Sequence, residues 1–578
     1  MDCMRQYERW LAQPGLEEEL REELISIAGD AKQIEERFYT ELEFGTAGLR
    51  GVLGAGPNRM NARVVRRAAL GLADYLLTRK DGAARGVAIA YDSRRCSAEF
   101  ALETALALCA RGVRAYLYDS LRPVPLLSFA VRRLGCAAGV VITASHNPPQ
   151  YNGFKVYWGH GGQASPEQAA AIYEKMKARD YFGGPSLSKE KALEAGFLTM
   201  LTEKDDEAYY FASLSLMERP ALAREHGGEL ALVYTPLHGS GNEPVRALLK
   251  RAGFTGVRVV PAQERPDPAF PTVSAPNPED PNAFTLAMEL AEETGAKLIL
   301  ATDPDADRLG LAVREQSGGF RVLTGNKIGC LLLYYILSSK KEAGTLPPDG
   351  FVAKSLVSTR LANALCARFG VTCVDVPTGF RFISQRIDES VREGKGTFLF
   401  GFEESYGFLA GGFSRDKDAV SSAMLAAEAC LYYQRQGKTL VDALSEMAAL
   451  CGWYDEAVKS YALSGKEGLE RIASAMAGLR ETPPTEFAGA KVVLAEDMLP
   501  GVQTDAEGNP SPCAIAGVNV LRYSLQGGAW VCVRPSGTEP KLKLYIGANE
   551  GSPGALDALL KALLADADAK LSRLLGLA

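Results

Sequence analysis

The stretch VVITASHNP at residues 140–148 passes abruptly from a buried strand to a polar turn. Its first residues are apolar and β-branched, which is typical of a buried strand. The prolines at positions 148 and 149 then forbid a helix and favour an exposed turn. Ser145 is therefore expected on a rigid bend at a strand end, beside His146, which could accept its proton. Such a serine is either a nucleophile or an ordinary turn residue, and this stretch alone fits both interpretations.

Strands and helices alternate on both sides of this stretch. Before it, the patterns predict a helix over 64–77, a strand over 87–91, a helix over 101–110 and a strand over 113–118. This alternation predicts a layered α/β domain whose functional residues lie in loops at strand ends. After the stretch, residues 151–155 predict a turn that brings Lys155 within reach of Ser145.

A glycine-rich loop, FGTAGLRG, stands at residues 44–51. Backbone N–H groups in such a loop can approach a phosphate closely, and Arg50 would add a charged fork for its oxygens. A plain turn between two strands is an equally good interpretation of the loop by itself.

A second α/β unit begins near Asp206 and carries three aspartates. A buried strand predicted over 297–301 ends in the sequence DPDADR at residues 303–308. On extended backbone, Asp303, Asp305 and Asp307 would point to one side and form an oxygen cage for a divalent cation. Their mutual repulsion is costly unless a cation lies among them. The alternative, an acidic surface turn, fits poorly because a buried strand aims the carboxylates.

The aspartate motif does not fit a calcium-binding EF-hand loop. That loop requires Gly at its sixth position and Glu at its twelfth, where this chain has Arg308 and Arg314. Three protein oxygens with an anionic fourth partner suit Mg²⁺ better.

A third α/β unit carries a polar loop after a strand predicted over 397–400. The loop, GFEESYG at residues 401–407, places carboxylates and hydroxyls between glycines. This pattern suits the donors and acceptors of sugar hydroxyls, although a helix N-cap or a surface loop would look similar. Another strand, over 371–374, ends in PTGFR at 377–381, and the sequence RDKD at 415–418 opens a helix over 419–434.

The last unit, from about Leu450, has runs of strands followed by a helix, which indicates an α+β layer. Between two of its predicted strands lies RPSGTEPK at residues 534–541. Arg534 and the hydroxyls of Ser536 and Thr538 around Gly537 would form a nest for a phosphate monoester. The alternative is a hairpin turn with incidental hydroxyls.

The composition is that of a globular protein with several cores. The 578 residues are 47% hydrophobic and 23% charged, and this length suggests about four domains. The formal charge of −6 argues against a broad nucleic-acid-binding face. Eleven cysteines without a disulfide or metal-ligand pattern predict reduced thiols in the cytoplasm. The N-terminus does not resemble a signal peptide, and no 18-residue apolar segment predicts a membrane span.

Taken together and in this order, the motifs resemble those of the α-D-phosphohexomutases. The loop at 44–51 and Phe402 resemble the phosphoglucomutase/phosphopentomutase branch. The resemblance implies an α/β fold with three similar three-layer α/β domains and a smaller C-terminal α+β domain around a central cleft. The expected domains cover 1–207 with the phosphoserine loop, 208–318 with the metal loop, 319–449 with the sugar loop and 450–578 with the phosphate site. One departure is Pro149-Gln150, where many relatives have Gly, and this stiffens the loop.

The resemblance also implies the roles of individual residues. Ser145 would be carried as phosphoserine, and Mg²⁺ would bridge its phosphate to Asp303, Asp305 and Asp307. The residues that line the transfer centre would be Arg50, His146, Lys155, Arg308 and Lys417. Either Lys155 or Lys417 could be the general acid/base. The substrate-binding residues would be Arg308, Thr378, Gly379, Arg381, Glu403, Ser405, Arg534, Ser536, Gly537, Thr538 and Lys541.

The activity expected from this resemblance is interconversion of glucose 1-phosphate and glucose 6-phosphate through a bisphosphate intermediate, with glucose 1,6-bisphosphate as activator. Pentose and mannose phosphates are alternative substrates. Two other classes of function are an aspartyl-phosphate phosphatase, in which Asp303 would be the nucleophile, and a non-catalytic sugar-phosphate sensor. The expected partners are small phosphosugars, with neither nucleic acid nor membrane, and the sequence leaves the oligomeric state open.

Overall fold

A computed structural model describes residues 2–45, 48–315, 317–463, 465–536 and 540–577. The chain forms two compact units. The first unit comprises residues 1–332 and 383–440, and the second comprises residues 333–382 and 441–578. No helix within the described ranges is both long enough and apolar enough to span a bilayer.

The first unit begins with a mixed sheet of six strands covered by helices. Its elements are α1 (Cys3–Leu11), α2 (Glu18–Ser26), α3 (Ala31–Phe38), β1 (Gly48–Val52), α4 (Ala62–Leu77), α5 (Gly82–Arg85), β2 (Val87–Tyr91), α6 (Ser97–Ala110), β3 (Ala115–Tyr118), α7 (Val124–Arg133), β4 (Ala138–Ile142), β5 (Tyr151–Trp158), α8 (Pro166–Lys177), α9 (Lys189–Glu194) and β6 (Leu198–Leu201). The strand order is β1-β5-β4-β2-β3-β6. Strands β4, β2, β3 and β6 are parallel, whereas β5 runs antiparallel to both β4 and β1.

A second, five-stranded sheet follows in the same unit, in the order β11-β10-β9-β7-β8. Its elements are α10 (Glu207–Leu214), α11 (Pro220–His226), β7 (Leu232–Thr235), α12 (Asn242–Ala252), β8 (Val257–Val259), α13 (Pro261–Glu264), α14 (Thr285–Thr294), β9 (Leu298–Thr302), β10 (Leu309–Arg314) and β11 (Phe320–Val322), with 3-10 helices at Glu203–Asp206, Gly227–Glu229 and Pro281–Phe284. The segment from 265 to 280 is rich in proline and contains no regular element.

The chain then forms α15 (Gly325–Glu342), β12 (Gly350–Ser355), α16 (Leu361–Phe369), β13 (Thr372–Val376), α17 (Phe380–Glu393), β14 (Thr397–Glu403), β15 (Gly407–Ala410) and α18 (Ala419–Arg435). In the first unit, β14 and β15 are an antiparallel hairpin. In the second unit, β12 and β13 are parallel neighbours.

The rest of the second unit is α+β. Its elements are α19 (Leu440–Cys451), β16 (Trp453–Ala462), α20 (Gly465–Glu481), β17 (Glu486–Phe487), β18 (Ala490–Asp497), β19 (Val502–Asp505), β20 (Pro510–Pro512), β21 (Leu521–Leu525), β22 (Trp530–Pro535), β23 (Lys541–Glu550) and α21 (Pro553–Leu574). Seven of the strands form an antiparallel path, β16-β23-β22-β21-β18-β19-β20, and α20 and α21 contribute to the core beside it. The predicted α/β fold class is therefore confirmed.

The central strands show why the sequence forms this fold. All five residues of β4 are buried, as expected for a strand with neighbours on both sides and helices on both faces. Polar residues begin at Thr143, where the strand ends. The predicted turn over 151–155 is wrong, because these residues begin β5 and pair with both β1 and β4. No disulfide bond joins the cysteines of the described residues.

Candidate active site

Ser145 lies in the loop between β4 and β5, in a left-handed backbone conformation. Its φ is 54°, and only 4% of the residue is exposed. The Ser145 hydroxyl donates a hydrogen bond of 2.8 Å to Oδ2 of Asp303, and Nδ1 of His146 lies 3.2 Å from the same oxygen of Ser145. The serine predicted as a nucleophile is therefore in direct contact with the predicted metal-binding motif, although the two are far apart in sequence.

Two buried residues after β2, Asp92 and Arg94, hold the loop that carries Ser145. Asp92 accepts a hydrogen bond of 2.6 Å from the Thr143 hydroxyl, whose oxygen accepts one of 2.8 Å from the Ser145 backbone N–H. The Arg94 guanidinium donates to the carbonyl oxygens of Ser145 at 2.6 Å and Pro148 at 2.9 Å, and it lies 3.3 Å from Asp92. A guanidinium that bonds to several carbonyls of one loop fixes its course, so the unusual φ of Ser145 is supported from both sides.

The three aspartates lie on a tight turn after β9, and not on extended backbone as predicted. Ala306 has a φ of 45°, and its N–H bonds to the carbonyl of Asp303 at 2.9 Å. Oδ1 of Asp303 accepts the backbone N–H groups of Asp307 at 3.2 Å and Arg308 at 3.0 Å. The turn therefore gathers the three carboxylates on one side by curling around Asp303, whereas in a strand they would be spread along the chain.

This carboxylate cluster fits a metal ion. Asp303, Asp305 and Asp307 are buried, and one ligand oxygen from each lies within 4.8 Å of the others. Oδ1 of Asp305 and Oδ1 of Asp307 are buried, and neither accepts a hydrogen bond from the part of the chain that the structure describes. Burial, together with the charges of Asp305 and Asp307, raises the pKa of Asp303 well above its usual value. Unpartnered, mutually repelling oxygens of this kind are suitable ligands for a hard divalent cation.

Two lysines neutralise part of the cluster. Nζ of Lys155, on β5, lies 2.8 Å from Oδ2 of Asp305. Nζ of Lys417, just before α18, lies 3.1 Å from Oδ2 of Asp307 and 3.1 Å from Oδ1 of Asp416. Burial alone would lower the pKa of Lys417, but Asp307 and Asp416 raise it above its usual value. Burial would likewise raise the pKa of Asp305, but Lys155 lowers it below its usual value.

The remaining predicted transfer residues in the first unit surround these groups. Burial, and then the charges of Arg308 and Arg50, lower the pKa of His146 well below its usual value, so its imidazole is neutral at physiological pH. Arg50 is exposed on β1, and its guanidinium lies 3.4 Å from the side-chain oxygen of Asn147. Arg308 follows the aspartate turn and forms an ion pair with Glu279.

The predicted sugar loop is the hairpin of β14 and β15. Glu403 is buried at the end of β14, Ser405 is half-buried in the turn, and Tyr406 has a φ of 67°. A backbone bridge between Arg308 and Gly407 places this hairpin against the aspartate turn. The negative charge of Glu403 also contributes to the raised pKa of Lys417. The structure therefore brings this loop, the serine and the aspartates together.

The other predicted substrate-binding residues belong to the second unit. Thr378 and Gly379 follow β13, and Gly379 has a φ of 121°. The guanidinium of Arg381 lies 4.7 Å from the centre of the Phe382 ring. Arg534 lies near the end of β22, and the N–H of Ser536 bonds to the carbonyl of Lys541 at 2.7 Å, which closes the hairpin to β23. Gly537 and Thr538 lie outside the described residues, so the phosphate nest stays a prediction.

Sequence reasoning missed four residues that support the site. Asp92 and Arg94 stand in the DSR sequence that directly follows β2, and polar residues at a strand end are a local signal of a site. Asp416 and Tyr157 are joined by a hydrogen bond of 2.7 Å across 259 positions of sequence. No local pattern predicts that contact.

Models of one protein family match most of the chain in four consecutive segments. Their descriptions are phosphoglucomutase/phosphomannomutase α/β/α domain I, at residues 41–182, domain II, at 208–318, domain III, at 324–450, and the C-terminal domain, at 474–564. The order of the segments is that of the motifs in the sequence.

Individual relatives agree with this match. The phosphoglucomutase of Staphylococcus haemolyticus is 37% identical over 516 residues, which cover 89% of this chain and 92% of the relative. The solved structure of the Paramecium phosphoglucomutase parafusin is 16% identical and has a TM-score of 0.67 over 93% of this chain and 97% of its own. A phosphoglucomutase/phosphomannomutase family protein of Burkholderia thailandensis is 19% identical and has a TM-score of 0.64 over 92% of this chain and 97% of its own. The two solved structures support the fold, and the sequence relative together with the family models shows that the chain belongs to the phosphoglucomutase/phosphomannomutase family, within the α-D-phosphohexomutase superfamily.

Proposed function

We propose that this protein is a phosphoglucomutase, which interconverts glucose 1-phosphate and glucose 6-phosphate through a phosphoserine and a bisphosphate intermediate. The observation that carries the proposal is the hydrogen bond of 2.8 Å from the Ser145 hydroxyl to Asp303, within reach of Asp305 and Asp307. The relatives named phosphoglucomutase, at 35–37% identity, favour glucose among the sugars.

Ser145, once phosphorylated, would donate its phosphoryl group to a hydroxyl of a sugar monophosphate. The Oγ–P bond breaks, a bond from phosphorus to the sugar oxygen forms, and the proton of that hydroxyl is passed on and ends on Oγ. The resulting bisphosphate then returns its other phosphoryl group to Ser145, and the sugar leaves with its phosphate on the other position. Asp303, Asp305, Asp307 and an oxygen on Ser145 would hold Mg²⁺, which supplies charge neutralisation at the transferring group.

The side chains around Ser145 would position and neutralise the reacting phosphate. Lys155 and Lys417 point at the aspartate cluster from two sides, and either could move the proton of the sugar hydroxyl. His146 is neutral and lies 3.2 Å from Oγ of Ser145, so it can accept or donate one hydrogen bond there. Arg50 and Arg308 would add positive charge for the phosphate oxygens.

Further polar residues would hold the substrate. Glu403 and Ser405 would bind sugar hydroxyls, and Arg308, Thr378, Gly379 and Arg381 would assist. Arg534, Ser536, Gly537, Thr538 and Lys541 would bind the phosphate that does not react. Glucose 1,6-bisphosphate would act as activator by phosphorylating Ser145.

We also propose the domain boundaries 1–207, 208–318, 319–449 and 450–578 and a location in the cytoplasm.

The experiment that tests the function combines mass spectrometry with kinetics. We expect a phosphate on the Ser145 peptide and turnover of glucose 1-phosphate that disappears in the Ser145→Ala variant. A panel of glucose, mannose, ribose and deoxyribose 1-phosphates tests the substrate, and glucose 1-phosphate should give the highest kcat/KM. Full turnover by Ser145→Ala would refute the mechanism, and a preference for a pentose or for mannose would replace glucose.

A further inference from the structure

The ammonium group of Lys417 is held from more than one side. Its Nζ lies 3.1 Å from Oδ2 of Asp307 and 3.1 Å from Oδ1 of Asp416, and 11% of the side chain is exposed. The methylene groups of Lys417 pass directly over Gly407, because a Cβ added at Gly407 would lie 2.2 Å from Cδ of Lys417. Asp307 is a predicted metal ligand, whereas Asp416 is outside the aspartate turn. Asp416 is therefore a partner of Lys417 that remains available when the carboxylate of Asp307 is engaged elsewhere.

Asp416 is itself fixed by several hydrogen bonds. Its Oδ1 accepts the backbone N–H of Lys417 at 2.8 Å in addition to the ammonium group. Its Oδ2 accepts the hydroxyl of Tyr157 at 2.7 Å and the side-chain amide of Gln163 at 3.0 Å. Both Asp416 and Tyr157 are almost completely buried. Burial would raise the pKa of Asp416, but Lys417 and these hydrogen bonds keep it below its usual value, so the carboxylate is ionised.

Strand β5 connects this carboxylate to the other lysine of the site. Lys155 and Tyr157 are two positions apart on β5, so their side chains leave the same face of the strand. Lys155 contacts Asp305 directly, and Tyr157 reaches Lys417 through Asp416. One rigid strand, with neighbours on both sides, thus sets the position of both ammonium groups.

We propose that Asp416, oriented by Tyr157, is a positioning residue that keeps the ammonium group of Lys417 directed at the reacting phosphate. The inference rests on the proposed function, because it assigns Lys417 to the transfer centre. It predicts that loss of the carboxylate at Asp416 lowers the rate of phosphoryl transfer without abolishing substrate binding, since a misplaced cation no longer neutralises the transferring group.

The neighbouring pair Tyr209 and Asp418 is a matched control. The Tyr209 hydroxyl donates to both oxygens of Asp418, at 2.8 and 2.9 Å, and both residues are buried like Tyr157 and Asp416. Asp418 caps the N-terminus of α18 by accepting the N–H of Ser421, so its hydrogen bonds hold the helix start and Tyr209. Tyr157→Phe and Tyr209→Phe therefore remove equivalent hydrogen bonds from two carboxylates of the same segment, and only one of these carboxylates contacts Lys417.

The first experiment measures kcat, KM and thermal unfolding for these variants. We expect Asp416→Asn to lower kcat roughly 10- to 100-fold, as losses of supporting residues commonly do, with KM within about threefold. Tyr157→Phe should lower kcat about 2- to 10-fold, the range for one lost hydrogen bond. Tyr209→Phe should lose similar thermal stability but keep the kcat of the natural sequence. An equal effect of the two tyrosine substitutions on kcat would overturn the inference.

The second experiment asks whether Asp416 acts through Lys417. In a double-mutant cycle on kcat, Asp416→Asn should have little further effect once Lys417 is replaced by Met, because the group that it positions is already absent. Additive effects of the two substitutions would show that Asp416 acts independently of Lys417, and this would overturn the inference.

A crystal structure of Asp416→Asn gives a readout that does not depend on activity. We expect Nζ of Lys417 to leave the oxygen of Asp307, and an unchanged Nζ position would overturn the positioning role. The natural sequence is assayed in parallel on the phosphosugar panel. If it turns over none of the sugars, the proposed function fails, and the position of Nζ still decides the structural inference.

Discussion

At the scale of single residues, the site is built around backbone conformations that most side chains avoid. Ser145, Ala306 and Tyr406 have φ values of 54°, 45° and 67°, and each lies at the bend of a different motif. A left-handed residue other than glycine costs about 1–2 kcal/mol, so its neighbours must hold it in place. Arg94 and the Thr143 hydroxyl do this for Ser145. Sequence patterns predict the bend at Ser145 and a loop at Tyr406, but they place the aspartates around Ala306 on extended backbone. None of the three left-handed conformations is predicted, because each depends on tertiary contacts.

Gly407 is a single residue whose replacement tests the packing of Lys417. In Gly407→Ala, the new Cβ would lie 2.2 Å from Cδ of Lys417, so the lysine must move. Overpacking of this kind destabilises proteins by about 1–3 kcal/mol, and displacement of a reacting group by 1 Å can lower kcat on the order of 100-fold. We therefore expect kcat on glucose 1-phosphate to fall on the order of 100-fold, measured by steady-state kinetics. Chemical denaturation should show that the free energy of unfolding falls by about 1–3 kcal/mol, so most of the protein stays folded in the assay.

The control for Gly407→Ala is Gly554→Ala, at the beginning of α21. A Cβ added at Gly554 has no heavy atom within 4 Å among the described residues, so this substitution should leave kcat unchanged. A Gly407→Ala variant with full kcat would contradict the packing of Lys417 that is described above.

At the scale of elements, helix α18 connects the site to the hydrophobic interior. Asp418 caps the helix through the N–H of Ser421 at 2.8 Å and is completely buried beneath Tyr209. Burial raises the pKa of Asp418 to about 6, although its hydrogen bonds act in the opposite direction. The position of this cap could be predicted from the RDKD sequence before an apolar helix, but its burial could not.

The raised pKa of Asp418 predicts a pH-dependent stability that Asp418→Asn should lack. Between the unfolded pKa of 3.8 and about 6, the unfolded chain loses the proton of Asp418 while the folded chain keeps it. The stabilisation of the folded protein by this raised pKa is therefore complete below pH 3.8 and is lost as the pH rises through about 6. Relative to Asp418→Asn, the free energy of unfolding should fall by about 2 kcal/mol between pH 4.5 and 7.

Chemical denaturation of both proteins at several pH values measures this difference. Asn can still cap the helix, so the comparison isolates the ionisation of the carboxyl group. A difference in stability that does not change with pH would show that Asp418 has an ordinary pKa in the folded protein.

Strands of polar composition were the elements that sequence patterns predicted least well. Strand β16 (Trp453–Ala462) is not predicted, because its residues are mostly half-exposed and its apolar residues do not alternate with polar ones. It is stable through ten paired positions with β23, which are tertiary contacts. The sequence at the start of strand β5 predicts a turn, because Tyr151-Asn152-Gly153 is typical of turns.

At the scale of the whole molecule, the order of the motifs carried most of the predictive information. The serine, aspartate and sugar-loop motifs each follow a buried strand, and strand ends are where α/β folds place their sites. These patterns indicate several candidate sites, and the resemblance to the α-D-phosphohexomutases implies that Ser145 and Asp303 belong to the same one. Sequence alone could not predict that Asp416 supports Lys417 or that Arg94 fixes the serine loop, because each contact depends on how distant elements pack.

Metal binding should stabilise the folded protein as a whole. The three buried carboxylates repel each other, so a divalent cation that binds only the folded state raises the free energy of unfolding. At about 100 times its Kd, Mg²⁺ should contribute roughly 2.7 kcal/mol, and chelation should remove this gain. We expect thermal unfolding to shift upward with Mg²⁺ in the natural sequence.

Matched variants separate the aspartate cluster from other acidic groups. The rise in unfolding temperature with Mg²⁺ should be lost in Asp305→Asn, because this variant lacks one of the proposed ligands. It should be kept in Asp418→Asn, which removes an equally buried carboxylate outside the cluster. An equal shift in both variants would place the metal elsewhere.

Arg534 provides the prediction that concerns the phosphate that does not react. Its guanidinium is expected to bind this phosphate, while phosphorylation occurs at Ser145. In Arg534→Ala, loss of a charge-assisted hydrogen bond should raise KM for glucose 1-phosphate roughly 10- to 100-fold, with the phosphate content of Ser145 unchanged by mass spectrometry. Lys459→Ala is a suitable control, because it removes a positive charge from β16 of the same sheet, where Lys459 pairs with Asp568 at 2.6 Å. If Arg534→Ala binds the substrate normally, or loses its phosphoserine, the role assigned to the hairpin of β22 and β23 is wrong.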